Sequence, residues 1–309
     1  MSYHRHQDAP VVIAALRTPI GTAGGSLAEL AAADLAAPVL AALGERCADR
    51  PIRDVLLGNC TGPGGNVARV AALTAGLPVE VPALTVDAQC GSGLAAVDLA
   101  ADLVRSRPGV VLAGGVESAS TAPWRFWPPV GDAEPERFER APFAPESMGD
   151  PDMGVAADIL AEKAGVGRRR QDAYAARSHQ RASAVRDAGG FDAEIVPLGD
   201  VRRDERPRPG LTEERLARFR PVFRPVSEGG TVTAGNACGI NDGAAGVAVV
   251  DAETHRALAV PGLRILATAR AGVDPNLPGL GLVPAAESAL TAAGLTMDDL
   301  DYVELNEAF

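Results

Sequence analysis

The sequence predicts an α/β fold, a mostly parallel sheet with helices on both faces that is interrupted by one long insertion. Three observations lead there. Short β-branched runs alternate with Ala- and Leu-rich stretches through the first third of the 309 residues. Residues 120–229 lose that alternation and become rich in proline and charge, with both tryptophans among them. From Gly230 onward regular apolar sequence returns.

Taken in order, VVIAAL (11–16) reads as a strand and LAELAAADLAAPVLAAL (27–43) as a helix. DVLLGN (54–59) is the next strand, NVARVAALTAG (66–76) a helix and ALTVD (83–87) a strand. A helix follows Cys90. In it Leu94, Val97, Ala101 and Val104 fall at i, i+3, i+7 and i+10, an apolar stripe with Asp98 and Asp102 on the other side. GVVLAGG (109–115) is again a strand. The insertion contains one strong helix, RRRQDAYAARSHQRASAVRDAG, and is expected to lie over the sheet as a cap. Its leading Arg168, Arg169 and Arg170 read as a solvated helix start. GTVTAGNACGINDGAAGVAVVD (230–251) ends in what reads as an edge strand returning to the first sheet. After Pro261-Gly262 the pattern restarts, with RILATARAG as strand, VPAAESALTAAG as helix and DLDYVELNEAF as strand and exit. Asp54–Asn59 and Asp301–Asn306 share an apolar strand between Asp and Asn, which hints at a duplicated fold.

A net charge of −11 argues against nucleic acid as the partner, because phosphate binding needs a basic surface. A small phosphate-bearing molecule needs only a local patch. No apolar run approaches the roughly 18–20 residues of a membrane span. The start, MSYHRHQDAP, lacks the apolar core of a signal peptide, so no membrane association and a cytoplasmic location are expected. Cys47, Cys60, Cys90 and Cys238 have no paired short spacing and read as reduced thiols.

Cys47, in a polar helix end, and Cys60, in a loop, read as inert. Cys90 differs. In VDAQCGSGL it lies where a strand ends and a helix begins, and the helix terminus favours a thiolate there. The same N–H groups suit an oxyanion forming on a carbon attached to the sulfur. Gly91 and Gly93 keep side chains away and permit a tight, strained turn. A reactive nucleophile and a small, buried, inert thiol both fit these features.

Ordered blocks along nearly the whole chain resemble the thiolase family, the acyl-CoA acetyltransferases. They are RTPIG with GGSL (17–27), GGNVARVAALTAGLP (64–78), VPALTVDAQCGSGLAAV (81–97), VVLAGGVESAS (110–120), QDAYAARSHQRA (171–182), FDAEIVPL (191–198), GGTVTAGNACGINDGAA (229–245) and LNEAF (305–309). The resemblance implies a thiolase fold with two βαβαβαββ halves and a cap inserted in the first. Residues 1–119 and 230–258 would form the N-terminal half, 120–229 the cap, and 259–309 the start of a second half that is cut short. It also implies Claisen condensation of acyl-CoA to 3-oxoacyl-CoA, or the reverse thiolysis, through an acyl-enzyme on Cys90. Asn306 matches the asparagine that holds a water for the enolate. Met153, Phe223, Ala234, Gly235, Cys238, Ala308 and Phe309 match positions lining the CoA and acyl pocket, though Met153, Phe223 and Phe309 equally suit core packing. The family works on the CoA thioester as substrate without a cofactor or metal, in lipid metabolism, and forms dimers or tetramers. His179 reads as structural, and His4 and His6 carry no role.

The sequence departs from the family in two ways. Thiolases continue past N-E-A-F with a G-H-P segment, whose histidine activates the nucleophile, and a C-x-G-G-G segment, whose cysteine is the base. Neither stands among these 309 residues. Cys238 replaces a usual serine, and Asp87 stands where Asn is common. Three arrangements account for this. The residues belong to a longer thiolase, or a second chain brings the missing His and Cys, or the chain binds acyl-CoA without turnover on its own.

Overall fold

The structure, a computed structural model, describes residues 7–47 and 50–309, so His4 and His6 lie outside it. In chain order the elements begin β1 (Val11–Arg17), β2 (Gly21–Thr22), α1 (Ala32–Glu45), β3 (Ile52–Gly58), α2 (Val67–Thr74), β4 (Ala83–Val86), α3 (Ser92–Ser106) and β5 (Val110–Ser118). They continue with β6 (Arg125–Trp127), β7 (Glu136–Phe138), α4 (Met153–Lys163), α5 (Arg168–Asp187), α6 (Glu213–Leu216), β8 (Asn241–Val250), α7 (Ala252–Leu258), β9 (Leu263–Arg264) and α8 (Leu282–Ala293). Two compact units result. One holds 1–123, 189–206 and 240–266, the other 124–188, 207–239 and 267–309.

The first unit is a sheet ordered β4-β3-β5-β8-β1-β9, with β2 beside β8. β3 runs parallel to β4 and β5, with α2 crossing from β3 to β4 and α3 crossing from β4 over β3 to β5. The pairings of β8 with β5, β1 and β2, and of β1 with β9, are antiparallel. The sheet is therefore mixed rather than mostly parallel. Nor is β8 an edge strand, since it pairs with β5 on one side and β1 on the other. Its run GVAVV is apolar at successive positions, which suits an interior strand covered on both faces.

Period-two alternation sorts the core. Val55, Leu57, Val110, Leu112, Ala248 and Val250 point to one face, where Leu35, Val39, Leu40 and Leu43 of α1 and Ala68 and Ala71 of α2 cover them. Leu56, Val111, Ala113 and Val249 point to the other, under Ala96, Ala100 and Val104 of α3. The expected stripe on α3 is thus displaced. Leu94 is 73% exposed, while Asp98 is buried at 8%. The small alanine face wins because it lets α3 approach the sheet closely. A Cβ at Gly58, the last residue of β3, would lie 2.5 Å from the Ser92 carbonyl carbon and 2.6 Å from the Gly93 nitrogen. Gly115 of β5 meets the Gly93 Cα in the same manner at 3.3 Å. The start of α3 rests on bare backbone.

Other expected elements are shorter or absent. α1 starts at Ala32, because Leu27 is buried against Gly21 and the chain turns there first. RILATARAG contributes only Arg264, in the two-residue strand Leu263–Arg264 that pairs with Val11 and Val12. Residues 301–309 form no strand. A strand needs a ladder of N–H and C=O partners, and the one backbone bond given for this segment, from the Cys238 N–H to the Ala308 carbonyl, makes none.

In the second unit buried carboxylates organise the loops. Asp158 of α4 is fully buried, and its Oδ1 accepts from the Thr231 N–H (2.7 Å), the Thr231 hydroxyl (2.9 Å) and the Val232 N–H (2.9 Å). Asn236 donates to Asp172 of α5 at 3.0 Å. Arg168 is not a solvated helix start. It pairs with Asp172 at 2.8 Å and donates to the carbonyls of Leu216 and Phe219. No helix among the described residues is long and apolar enough to cross a membrane.

The Gly58 contact sets a testable cost. Gly58→Ala is expected to lose about 1–3 kcal/mol in urea denaturation through backbone overpacking. Gly272→Ala, where the added carbon meets nothing within 4 Å, is expected to change stability by less than about 0.5 kcal/mol.

Candidate active site

Cys90 lies in the short connection between the end of β4 at Val86 and the start of α3 at Ser92. Its thiol is exposed. Hydrogen bonds pin the turn from both flanks. The Asp87 carboxylate accepts from the Gln89 N–H at 2.9 Å and from the Gln89 side-chain amide at 3.3 Å. The Ser92 hydroxyl accepts from the Ala88 N–H at 2.8 Å and donates to the Gln89 carbonyl at 2.6 Å. The Gly91 and Ser92 N–H groups are committed inside the turn as well, to the carbonyls of Ala88 (3.1 Å) and Gln89 (2.9 Å).

The strain falls elsewhere than the sequence suggests. Gln89 takes φ +52°, in the left-handed region where a non-glycine residue is uncommon. Gly91 has φ −84°, and Gly93 has no positive φ either. Asp87 takes the Asx-turn role, its side chain bonding the backbone two residues on.

A second cysteine stands against this turn. Cys60 follows β3, the parallel neighbour of β4, so their exit loops adjoin. Its Sγ lies 3.4 Å from the Gln89 carbonyl oxygen and 3.9 Å from the Ser92 hydroxyl. Its N–H donates to Glu117 at 2.5 Å, and the Thr61 N–H and hydroxyl also donate to that carboxylate. Burial, with Glu117 adding to it, pushes the Cys60 thiol up to about 12. Loop position alone gave no hint of this; the order of parallel strands would have. Cys47 is the inert thiol expected, fully buried, donating to the Leu43 carbonyl at 3.1 Å and pushed up to about 11 by burial.

The remaining candidates belong to the second unit. Met153 opens α4, and the next residue, Gly154, has no room for a Cβ because the Phe223 ring occupies the space. Phe223 meets Phe309 edge to face with centroids 6.2 Å apart. The Cys238 N–H donates to the Ala308 carbonyl at 2.9 Å. Gly235 is backed by Leu216, and Ala234 and Cys238 are exposed in the same segment. Pairwise contacts thus link Gly154 to Phe223, Phe223 to Phe309 and Cys238 to Ala308. Asn306 is exposed beside Glu307, which accepts from the Ser178 hydroxyl at 2.5 Å. That carboxylate also raises the Tyr174 phenol above its ordinary range. His179 is structural as expected, its Nδ1 accepting from the Arg208 N–H at 3.2 Å. No group of three or more His, Cys, Asp or Glu suited to a metal ion occurs among the described residues.

Comparison with known proteins fits these blocks. A family model described as the thiolase N-terminal domain matches residues 10–253, and one described as the thiolase C-terminal domain matches residues 260–309. A putative acetyl-CoA C-acetyltransferase of Bacillus subtilis is 42% identical over 304 residues, which cover 97% of this chain and 79% of that protein. An acetyl-CoA acetyltransferase of Pseudomonas aeruginosa is 42% identical over 319 residues, covering 97% and 80%. The crystal structure of the Bacillus anthracis acetyl-CoA acetyltransferase superposes with a TM-score of 0.87 at 36% identity, covering 98% of this chain and 80% of that one. The chain belongs to the thiolase family of acyltransferases and has the thiolase fold.

Proposed function

We propose that the protein catalyses acyl transfer between acetyl-CoA or related acyl-CoA molecules through an acyl-enzyme on Cys90. The observation that carries this reading is the exposed Cys90 thiol on a turn pinned by Asp87 and Ser92 at the start of α3. In the first half-reaction the Cys90 thiolate attacks the thioester carbonyl carbon. The bond from that carbon to the CoA sulfur breaks, and CoA leaves as a thiolate that takes up the proton Cys90 gave up. In the second, the deprotonated α-carbon of another acyl-CoA attacks the acyl-enzyme carbonyl and releases the Cys90 thiolate. The product is a 3-oxoacyl-CoA, and the reverse sequence is thiolysis. Asn306 is assigned a water facing the enolate oxygen. Met153, Phe223, Ala234, Gly235, Cys238, Ala308 and Phe309 are assigned to the acyl and pantetheine pocket. The chain would act from the cytoplasm.

One observation favours a second reading, acyl-CoA binding without turnover by these 309 residues alone: none of the four histidines stands in a Gly-His-Pro context.

We also propose a homodimer through β4. Among the described residues that strand pairs with β3 alone and forms one edge of the sheet. Leu84, Val79, Val70 and Leu94 of the same unit are all more than half exposed. An open edge with apolar neighbours suits a second copy placed antiparallel across a two-fold axis.

Two outcomes test these proposals. Incubation with radiolabelled acetyl-CoA is expected to label the tryptic peptide containing Cys90, and Cys90→Ser is expected to lose that label while Cys238→Ser keeps it. Label on another cysteine would refute the acyl-enzyme, and label without acetoacetyl-CoA formation would support the second reading. In light scattering the chain is expected to show a dimer mass and Leu84→Asp a monomer mass. A monomeric parent chain would refute the interface.

A further inference from the structure

We propose that Cys60 is a positioning residue for Cys90, its thiol setting the plane of the peptide that joins Gln89 to Cys90. The inference rests on the reading of Cys90 as the acyl carrier. Three donors converge on the Gln89 carbonyl: the Ser92 N–H at 2.9 Å, the Ser92 hydroxyl at 2.6 Å and the Cys60 thiol at 3.4 Å. The two Ser92 groups come from the helix side of the turn, whereas Cys60 comes from a different loop. Only Cys60 ties the turn to the rest of the sheet through a side chain on this carbonyl.

That loop is itself fixed. Glu117, on β5, receives the N–H groups of Cys60 and Thr61, so the Cys60 sulfur is referenced to the strand on the far side of β3. Burial, a hydrogen bond from the thiol to the Glu117 carboxylate and the charges of Glu117 and Asp87 all disfavour a thiolate at Cys60, so its S–H is shared between Glu117 and the Gln89 carbonyl. The thiol therefore stays an S–H donor throughout the range where Cys90 would work.

The geometry bears on acyl transfer in one specific way. No peptide bond among the described residues is cis. The Gln89 C=O and the Cys90 N–H therefore point to opposite sides of one plane. Holding the carbonyl inward against Cys60 turns the Cys90 N–H outward, next to its own thiol. An acyl carbonyl under attack by that thiol develops negative charge on oxygen, and an N–H aimed at it lowers the barrier. Alkylation of the thiol develops no such oxyanion.

The test compares these two reactions at Cys90 in the full chain, read by peptide mass spectrometry. Cys60→Ala is expected to slow acetylation by acetyl-CoA about two- to fivefold, the scale of one weak hydrogen bond lost. Alkylation by iodoacetamide is expected to stay within about twofold of the parent rate, since it needs no oxyanion donor. Cys60→Ser, which keeps a donor at the same place, is expected to restore acetylation. Equal acetylation rates in the parent and Cys60→Ala would overturn the proposal, as would a parallel fall of acetylation and alkylation with a lowered melting temperature. Acetyl label in the parent on a cysteine other than Cys90 would overturn the underlying reading and the proposal with it.

Discussion

The arrangement around the Gln89 carbonyl is the constraint on which the candidate site depends. Gln89 sits at φ +52°, a conformation that costs free energy for a residue with a side chain. It is held there because Asp87 takes its N–H and Ser92 takes its carbonyl. Hydrogen bonds to a charged acceptor contribute about 1.5–3 kcal/mol each, enough to offset strain of that size. Without those partners the turn would relax, and the thiol of the next residue would lose its fixed direction.

The turn in turn depends on what lies beneath α3. Gly58 and Gly115 present bare backbone at the ends of adjacent strands, and the first residues of α3 rest on them. An alanine face on α3 continues the close approach along the sheet. Leu94 is left outside as a result, and Asp98 inside. In the second unit the same principle operates with charge instead of glycine. Asp158 and Asp172 are buried, and the donors they collect fix residues 231–236, the segment that carries Ala234 and Gly235.

Much of the architecture was legible in the sequence because alternation of period two and helical stripes report burial directly. β1, β3, β4, α2 and α5 lie within a residue or two of where their patterns put them, and β5 runs three residues further. What was not legible is pairing. Nothing local to GVAVV says that it enters between β5 and β1, since a strand's neighbours are set by topology and not by its own residues. The segment 301–309 read as a strand for the converse reason: its pattern is apolar, but a pattern forms a strand only where a neighbour supplies hydrogen bonds. Cys90 stood out by its position ahead of α3. Cys60 did not, because its relation to Gln89 exists only once β3 and β4 are side by side. The glycines after Cys90 drew attention to strain that Gln89 in fact carries.

The central claim is that the Ser92 clamp on Gln89 makes Cys90 competent for acyl transfer. The most direct measurement is the rate at which Cys90 is acetylated by acetyl-CoA in Ser92→Ala, set beside the parent chain, with circular dichroism to confirm the fold. A fall of about tenfold or more with the fold retained is the predicted result, the size expected from losing one good hydrogen bond in the reacting geometry. An unchanged rate in a folded Ser92→Ala would contradict the account.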